Sequence, residues 1–487
     1  MAEEMERNAE SSQSEGSASG ALDKLIEMTV TTPEDTDTVR AAFDRIVTRF
    51  KNMPAESKLK TGLIDDEIAV IDQQLSAQVA AIMKSEAFRE VESAWRGLAF
   101  LVQRTDFSQN IRISVMQASK GDLLEDLREA ESLDQSHFFK TVYANEYDTP
   151  GGRPFGTIVG NYKFDSGPLD VELLSRVSEV AEAAHAPFVA SVGPEFFKVG
   201  DWKEFGEISN LNSYLDGKDF AEWKSLREKK SSKYLGLTFP GFLLRQPYGP
   251  GLEQAKSFNF SEQAQAHSDY VWGNSAFAYA SKINESFADA GWVVNISGGK
   301  NAGGLVRDLS TVRYNLGAEI AKIGAEVLIT DAQEKEISEA GFLSLSPYKN
   351  EGVACFFGCQ SVHKPEKYDT AEATANAKLE TMLAYMFPVT RVAHYLKSIQ
   401  RDNIGRFVSA PELEEQLKQW LHQYYSAAKD KDQAFCAKYP FTGYDVKVAE
   451  DPANPGWYNM DVWVQPRVIL QGISGKLHLV AKVPGKE

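Results

Sequence analysis

From Leu63 onward the apolar positions of the chain fall at helical spacing. Ile64, Ile68, Ile71, Leu75, Val79 and Ile82 recur at steps of three and four, which predicts one helix with an apolar stripe. Ser85 can cap a second helix, with Phe88, Val91, Trp95, Leu98 and Val102 on one face. The short break between them predicts a helical hairpin. Ahead of it stands ALDKLIEMTV (21–30), an apolar segment isolated between a Glu/Ser/Gly-rich tail and the polar TTPEDTDT. Such a segment has no local partner, so it reads as a stray amphipathic turn or as an arm that docks elsewhere; the tail itself is too polar to order.

Beyond the hairpin the pattern alternates. IRISV (111–115) reads as a half-buried strand, Ser119 with Asp122 starts a helix, and Ser136 starts another. TIVGNYKF, a helix from about Pro168 to Ala184 and then PFVASV form strand, helix and strand, which predicts a parallel crossover and an α/β core. YLGLTFP, FLLRQP, WVVNI, EVLIT, FLSLS and GVACFFGC read as further strands. SDYVWGNSAFAYASKINESFADAG and DAQEKEISEAG read as helices, the latter closed by Gly341. The helical stretch 370–400 should kink or divide at Pro388. A last helix, 409–426, begins with a Ser409/Glu412 capping box and carries Leu413, Leu417, Trp420, Leu421 and Tyr424. After it YDVKV, WYNMDVWV, RVIL and GKLHLVAKV alternate with period two, a run of antiparallel strands. In WYNMDVWV one face takes Tyr458, Met460, Val462 and Val464, the other Trp457, Asp461 and Trp463.

The 487 residues suffice for two or three domains. A formal charge of −17 argues against a nucleic-acid partner, which requires a concentrated basic surface. Three cysteines, Cys355, Cys359 and Cys436, make no disulfide framework and favour a reducing compartment. No basic-then-apolar leader is visible and no apolar run reaches the ~20 residues of a bilayer span. The expected location is the cytoplasm, without direct membrane insertion.

Candidate chemistry is sparse. GGKNAGG (298–304) lacks both the P-loop order and the dinucleotide-turn order, and reads as a flexible loop. Cys355, Cys359 and His363 suggest a metal site only superficially. On a strand the two thiols stand roughly 13 Å apart at ~3.3 Å per residue, too far for one zinc. His137, His185, His267, His394, His422 and His478 belong to no catalytic motif. No catalytic, cofactor or metal residue is assigned, and an enzyme such as a hydrolase with a divergent site stays the competing class.

Several stretches together resemble one family, the large subunit of the type VI secretion contractile sheath (TssC or VipB). They are LSAQVAAIM, FREVESAWRGLAFLV, VGNYKFD with DVELL, HAPFVAS, YLGLTFPGFLLRQPYG, WGNSAFAYASKINESF, KPEKYDTAEATANAKL, FPVTRVAHYLKSIQRDNIG, NPGWYNMDVWVQP and ISGKLHLVAKVPG, in order from about residue 60 onward. The stretch 298–304 and the following VRDLSTVRYNLGAE depart from the family pattern. The resemblance implies a mixed α/β, tail-sheath-like subunit that pairs with a small subunit (TssB or VipA). The pairs would polymerise around an inner tube of Hcp, contract, and be recycled by a ClpV-type unfoldase acting mainly on the small subunit. A sheath attached to a membrane-anchored baseplate is implied; a one-protein phage-type tail sheath is the nearest alternative.

On this reading residues 1–60 are a tail and inter-subunit arm, 61–105 a hairpin that docks the small subunit, 106–440 the sheath core, and 441–487 strands for exchange between subunits. Trp95 is the expected anchor of the hairpin interface, with a core role as the alternative. By family analogy, helix 409–426 would attach to the inner tube through Glu412, Glu415 and Gln416. The arm, with Leu22, Leu25 and Ile26, is expected to add to a neighbour's strands at Val446, Val448, Tyr458, Val462 and Val464.

Overall fold

The computed structural model describes residues 61–487 except 250–253, 257, 265, 300–301, 316–319, 404–408, 429–431, 451–457, 468–476 and 482–487. Before residue 61 only positions 37, 40, 41, 44, 45 and 48 are described. The arm 21–30, with Leu22, Leu25 and Ile26, therefore lies outside the described residues, as does Trp457.

The chain divides into two compact units: residues up to 81 with 248–262, and residues 82–247 with 263–487. In the first, helix α1 (Thr61–Met83, its last residues belonging to the second unit) is tied to the 248–262 segment. The Ser76 hydroxyl accepts the Ser261 N–H at 3.2 Å, and Asp72 accepts from Asn259 at 3.0 Å. The periodic positions Ile68, Ile71 and Leu75 are exposed.

The second unit is built on a six-stranded sheet. Its strands are β1 (Ile158–Phe164), β2 (Phe188–Val192), β3 (Leu235–Phe239), β4 (Leu305–Val306), β5 (Leu343–Pro347) and β6 (Ala354–Phe356), in the order β1-β2-β3-β5-β6-β4. The first four in that order pair in parallel and β6 runs antiparallel to both its neighbours, β5 and β4, so the expected crossover is present. Both faces are covered. Phe188, Ala190 and Val192 of β2 enter one apolar cluster and Val189 between them enters another, which is why this strand is apolar at every position.

Helices α2 (Glu86–Gln103), α3 (Lys120–Glu129), α4 (Pro168–Ala183), α5 (Ser275–Ala290), α6 (Asp331–Glu339), α7 (Leu383–Asn403) and α8 (Ala410–His422) surround the sheet or follow it. Several begin or end by local rules, whereas Ser85 stands at the N-cap of α2 with its hydroxyl donating backward to Ile82 O at 2.7 Å instead of capping the helix. Ser119 and Asp122 form the capping box of α3, Pro168 opens α4, and Gly291 closes α5 at φ 74°. A separate three-stranded antiparallel sheet, β7 (Phe441–Glu450), β8 (Tyr458–Pro466) and β9 (Leu477–Ala481), ends the fold.

Several expected elements differ. IRISV runs without a turn but joins no strand among the described residues. WVVNI and EVLIT are irregular, and of FLLRQP only Phe242–Leu243 pairs, with Trp272–Gly273. The 370–400 helix divides at 381–382, leaving Pro388 inside α7. The cause is competition for the backbone: Thr381 O accepts the Ser361 N–H at 2.8 Å and Leu383 donates to Cys359 O at 2.7 Å, so these groups serve a neighbouring segment instead of a helix. The stretch 298–304 is not a free loop either. Gly298 donates to Phe356 O at 2.7 Å and Phe356 donates to Gly304 O at 3.0 Å, bonding it into the sheet edge. Gly303 has φ +87°, and a Cβ there would stand 2.3 Å from Asn295 O.

Candidate assembly surfaces

Helix α2 is seated by its polar side. Glu92 accepts two hydrogen bonds from Arg245 (2.6 and 3.1 Å) and one from Arg96 (2.7 Å). Burial alone would raise the Glu92 carboxyl, but the hydrogen bonds and charges of the two arginines hold it below its ordinary value. Ser93 donates to Trp272 O at 2.7 Å, and Arg104 reaches Arg307 O at 2.8 Å. Gly97 admits the Phe277 ring so closely that a Cβ would stand 2.6 Å from it. Leu101 joins Phe277 and Ala280 in a small core, and Phe100 meets Phe242 with ring centroids 4.7 Å apart.

The apolar stripe predicted from periodicity therefore faces outward. Phe88 is 41%, Val91 57%, Trp95 68% and Val102 39% exposed, with Leu98 half-buried among them. Trp95 is not a core residue. A contiguous apolar stripe on a helix fixed by buried polar contacts on its other side is what an interface with another chain requires.

The C-terminal sheet is arranged differently. Val446, Met460, Val462 and Val464 are buried and share one apolar cluster with Leu413, Leu417 and Leu421 of α8, while Val448 and Tyr458 are half-buried against it. The alternation in WYNMDVWV is thus observed, with Asp461 exposed and Trp463 half-buried opposite. Because the Val446, Val462 and Val464 side chains fill their own subunit, an added strand can meet only the sheet's backbone edges.

Those edges are unequal. At β7 the Val446 N–H is taken by the Asp445 carboxylate at 3.0 Å and the Val448 N–H by Glu414 at 3.1 Å, with Glu414 also held by Lys418 at 2.6 Å. Phe441 at its start pairs with the 424–426 segment. Strand β8 is central, and β9 has no outer partner among the described residues.

On α8, Glu412 is exposed but engaged, accepting the Ser409 N–H and hydroxyl at 2.9 Å as the capping box. Those bonds hold its carboxyl below the ordinary range. Glu415 accepts from Gln419 at 3.1 Å, and Gln416 accepts from Asn403 at 3.1 Å. All three lie on the exposed side of the helix.

The residues weighed for metal chemistry go separate ways. Cys355 meets Gly298 O, and burial pushes its thiol up to about 12; Cys359 is buried with its thiol also raised, mainly by burial. His363 Nδ1 stands 2.9 Å from Lys229 O and 3.0 Å from the Ser232 hydroxyl. Among the described residues no group of three His, Cys, Asp or Glu side chains converges to hold a metal, and no helix is long and apolar enough to cross a membrane. The sequence reading missed Arg245 and Glu414, which fix α2 and close the β7 edge; the Glu92–Arg96 and Glu414–Lys418 spacings of four residues were the only local signals.

The chain is a structural subunit of a contractile sheath. It matches the tail sheath N-terminal domain described as EvpB/VC_A0108 over residues 65–363, and the tail sheath gpW/gp25-like domain of the same description over 372–483. It belongs to this VipB (TssC) family of type VI secretion sheath proteins. The type VI secretion system sheath protein TssC1 of Pseudomonas aeruginosa is 39% identical over 428 residues, 86% of each chain. Two solved structures are more distantly similar. The anti-feeding prophage baseplate has a TM-score of 0.37 and 10% identity, over 78% of this chain and 84% of that one. The contracted anti-feeding prophage helical sheath has a TM-score of 0.29 and 9% identity, over 64% and 65%.

Proposed function

We propose that the outward face of α2 is where the small sheath subunit (TssB or VipA) docks, with Trp95 as its anchor. The observation that carries this is the exposure of Phe88, Val91, Trp95 and Val102 on a helix whose opposite side is fixed by Glu92, Gly97 and Leu101. An acidic residue in the stripe would be desolvated by a partner but stays hydrated without one. Trp95→Asp and Val91→Asp are therefore expected to abolish copurification with the coexpressed small subunit while leaving the melting temperature of this chain unchanged. Undiminished copurification in both variants rejects the assignment.

In this reading the heterodimers polymerise with copies of themselves around the Hcp tube, on a baseplate, in the bacterial cytoplasm. The chain performs no catalytic step. Glu415 and Gln416 on α8 turn toward the tube, with Glu412 kept as the cap of that helix. The arm 21–30, through Leu22, Leu25 and Ile26, adds to the C-terminal sheet of a neighbouring subunit. A ClpV-type unfoldase recycles the contracted polymer mainly through the small subunit.

A further inference from the structure

We propose that Ile111–Gln117 is one strand of an intermolecular β-ladder, completed by a strand of the small sheath subunit; the inference rests on the docking of that subunit at α2. The segment between Asn110 and Lys120 contains no turn, bend or helical residue. At ~3.3 Å per residue, nine such residues extend over roughly 30 Å. From Ile111 to Gln117 no backbone group is hydrogen-bonded to any described residue. An irregular surface loop leaves its backbone to water as well, but it turns and yields. This one has no turn or bend and is held.

It is held in three places. Ahead of it Asp106 accepts the Ser108 N–H at 2.9 Å, and Asn110 turns the chain at φ 57°. In the middle Ile113 packs on the core of Leu101, Phe277 and Ala280. Behind it Ala118 O accepts the Tyr162 hydroxyl at 2.8 Å, and Ser119 enters the capping box of α3. The conformational entropy of ordering a strand has thus already been lost within the subunit, which lowers the cost of adding a second one.

The side chains also read as a strand. Ile111 and Ile113 are half-buried with exposed Arg112 between them, and Ser114 to Gln117 are exposed. Val115 (72% exposed) and Met116 (48%) then offer apolar surface to an added chain. A row of unpaired donors and acceptors matches another extended backbone and not a helix, whose own groups are already bonded. Continuity selects the occupant. The exposed stripe of α2 ends at Val102, exposed Phe107 follows, and the straight run begins four residues later, so a chain seated on α2 reaches it directly. Arg112 is the sole charge from Ile111 to Gln117, which favours an acidic or neutral residue opposite it.

The experiment is amide hydrogen exchange on this chain alone and on its purified complex with the small subunit. Alternate amides from Ile111 to Gln117 should exchange rapidly in the chain alone and at least tenfold more slowly in the complex. Ser114→Pro and Val115→Pro supply the second measurement. Adjacent N–H groups of a strand point to opposite sides, so one substitution should weaken copurification at least tenfold and the other leave it intact, with both melting temperatures unchanged. A Trp95-dependent complex in which these amides stay fast and both proline variants bind normally overturns the ladder while the docking stands. Protection already present without the small subunit assigns the strand to a second copy of this chain and overturns the proposal. Absence of any complex removes the docking first, and the ladder with it.

Discussion

Arg245 grips the Glu92 carboxylate through two hydrogen bonds, 2.6 Å from Nε to Oε1 and 3.1 Å from Nη2 to Oε2, with the two side chains only 3% and 9% exposed. This pair decides which way α2 faces. With the polar side of the helix satisfied against its own unit, the apolar stripe is left exposed. Glu92→Gln removes the counter-charge of the buried guanidinium and is expected to cost ~3–5 kcal/mol, read by chemical denaturation. Adding Arg245→Met should recover much of the loss, because the pair is then removed as a unit. The Glu92 carboxyl is lowered in the folded chain, so its contribution is present above the ordinary carboxyl pKa and disappears as pH falls through the lowered value.

Gly97 is the other constraint on that helix. A Cβ there would stand 2.6 Å from Cδ2 of Phe277, so Gly97→Val must displace the ring. A loss of ~1–3 kcal/mol is expected, with partial recovery in Gly97→Val/Phe277→Leu, where the ring is gone. If the single variant melts like the parent, α2 is not seated as described.

Much of this fold was legible in the sequence, for physical reasons that also mark where legibility stops. The periodicity of α2 is strong because an interface stripe and a core stripe obey the same 3.6-residue rule. Periodicity placed Trp95 on the apolar stripe but could not say whether that stripe faced the core or solvent. Its exposure follows from the Glu92–Arg245 pair, between residues 153 positions apart. IRISV alternates in sequence like a strand, but among the described residues it joins no ladder, and Val115, expected on the buried side with Ile111 and Ile113, is 72% exposed. Pro388 misled because a break signal was weighed alone, while the real division near Met382 comes from a bridge to Gln360 that local propensity cannot reveal.

Two buried imidazoles give a pH signature. Burial pushes His394 down to about 3 and His185 down to about 4, with nearby cations adding to the effect, and the His394 Nε2 donates to Ala184 O at 2.9 Å. Both folded values lie below the unfolded value of ~6.5, so the unfolded chain binds more protons between roughly pH 4 and 6.5. Stability from this source is full above ~6.5 and falls as the solution is acidified, by about 1.4 kcal/mol per pH unit for each ring. Denaturation at pH 7.0, 6.0 and 5.0 should show the fall, and His394→Gln should remove about one ring's share of the slope. An unchanged slope in that variant rejects the buried neutral state.

The acidic residues of α8 separate by role. Glu412 closes the capping box, so Glu412→Lys should lower the melting temperature whatever the surface does. Among the described residues Glu415 bonds Gln419 on its own helix, so Glu415→Lys should leave the melting temperature intact and still impair assembly on the tube. Normal sheath–tube copurification for Glu415→Lys would count against that face as the attachment surface.

The C-terminal sheet allows a strand at one edge and obstructs it at the other. Glu414 occupies the Val448 N–H and Asp445 the Val446 N–H, so β7 has no free run of donors, whereas β9 has no outer partner among the described residues. An arriving arm is therefore expected beside β9. Deleting residues 21–30 should leave a soluble heterodimer that forms no extended sheath, visible by negative-stain microscopy. A cysteine placed in the arm should crosslink to one on β9 of a neighbouring subunit and not to one on β7. Glu414→Ala frees the Val448 N–H and removes the partner of Lys418, so a second, misplaced pairing at β7 should appear as crosslinks there and as irregular tubes. Long contractile tubes from the arm deletion would show that subunits are linked by something other than strand addition, and crosslinks confined to β7 in the parent chain would reverse the choice of edge.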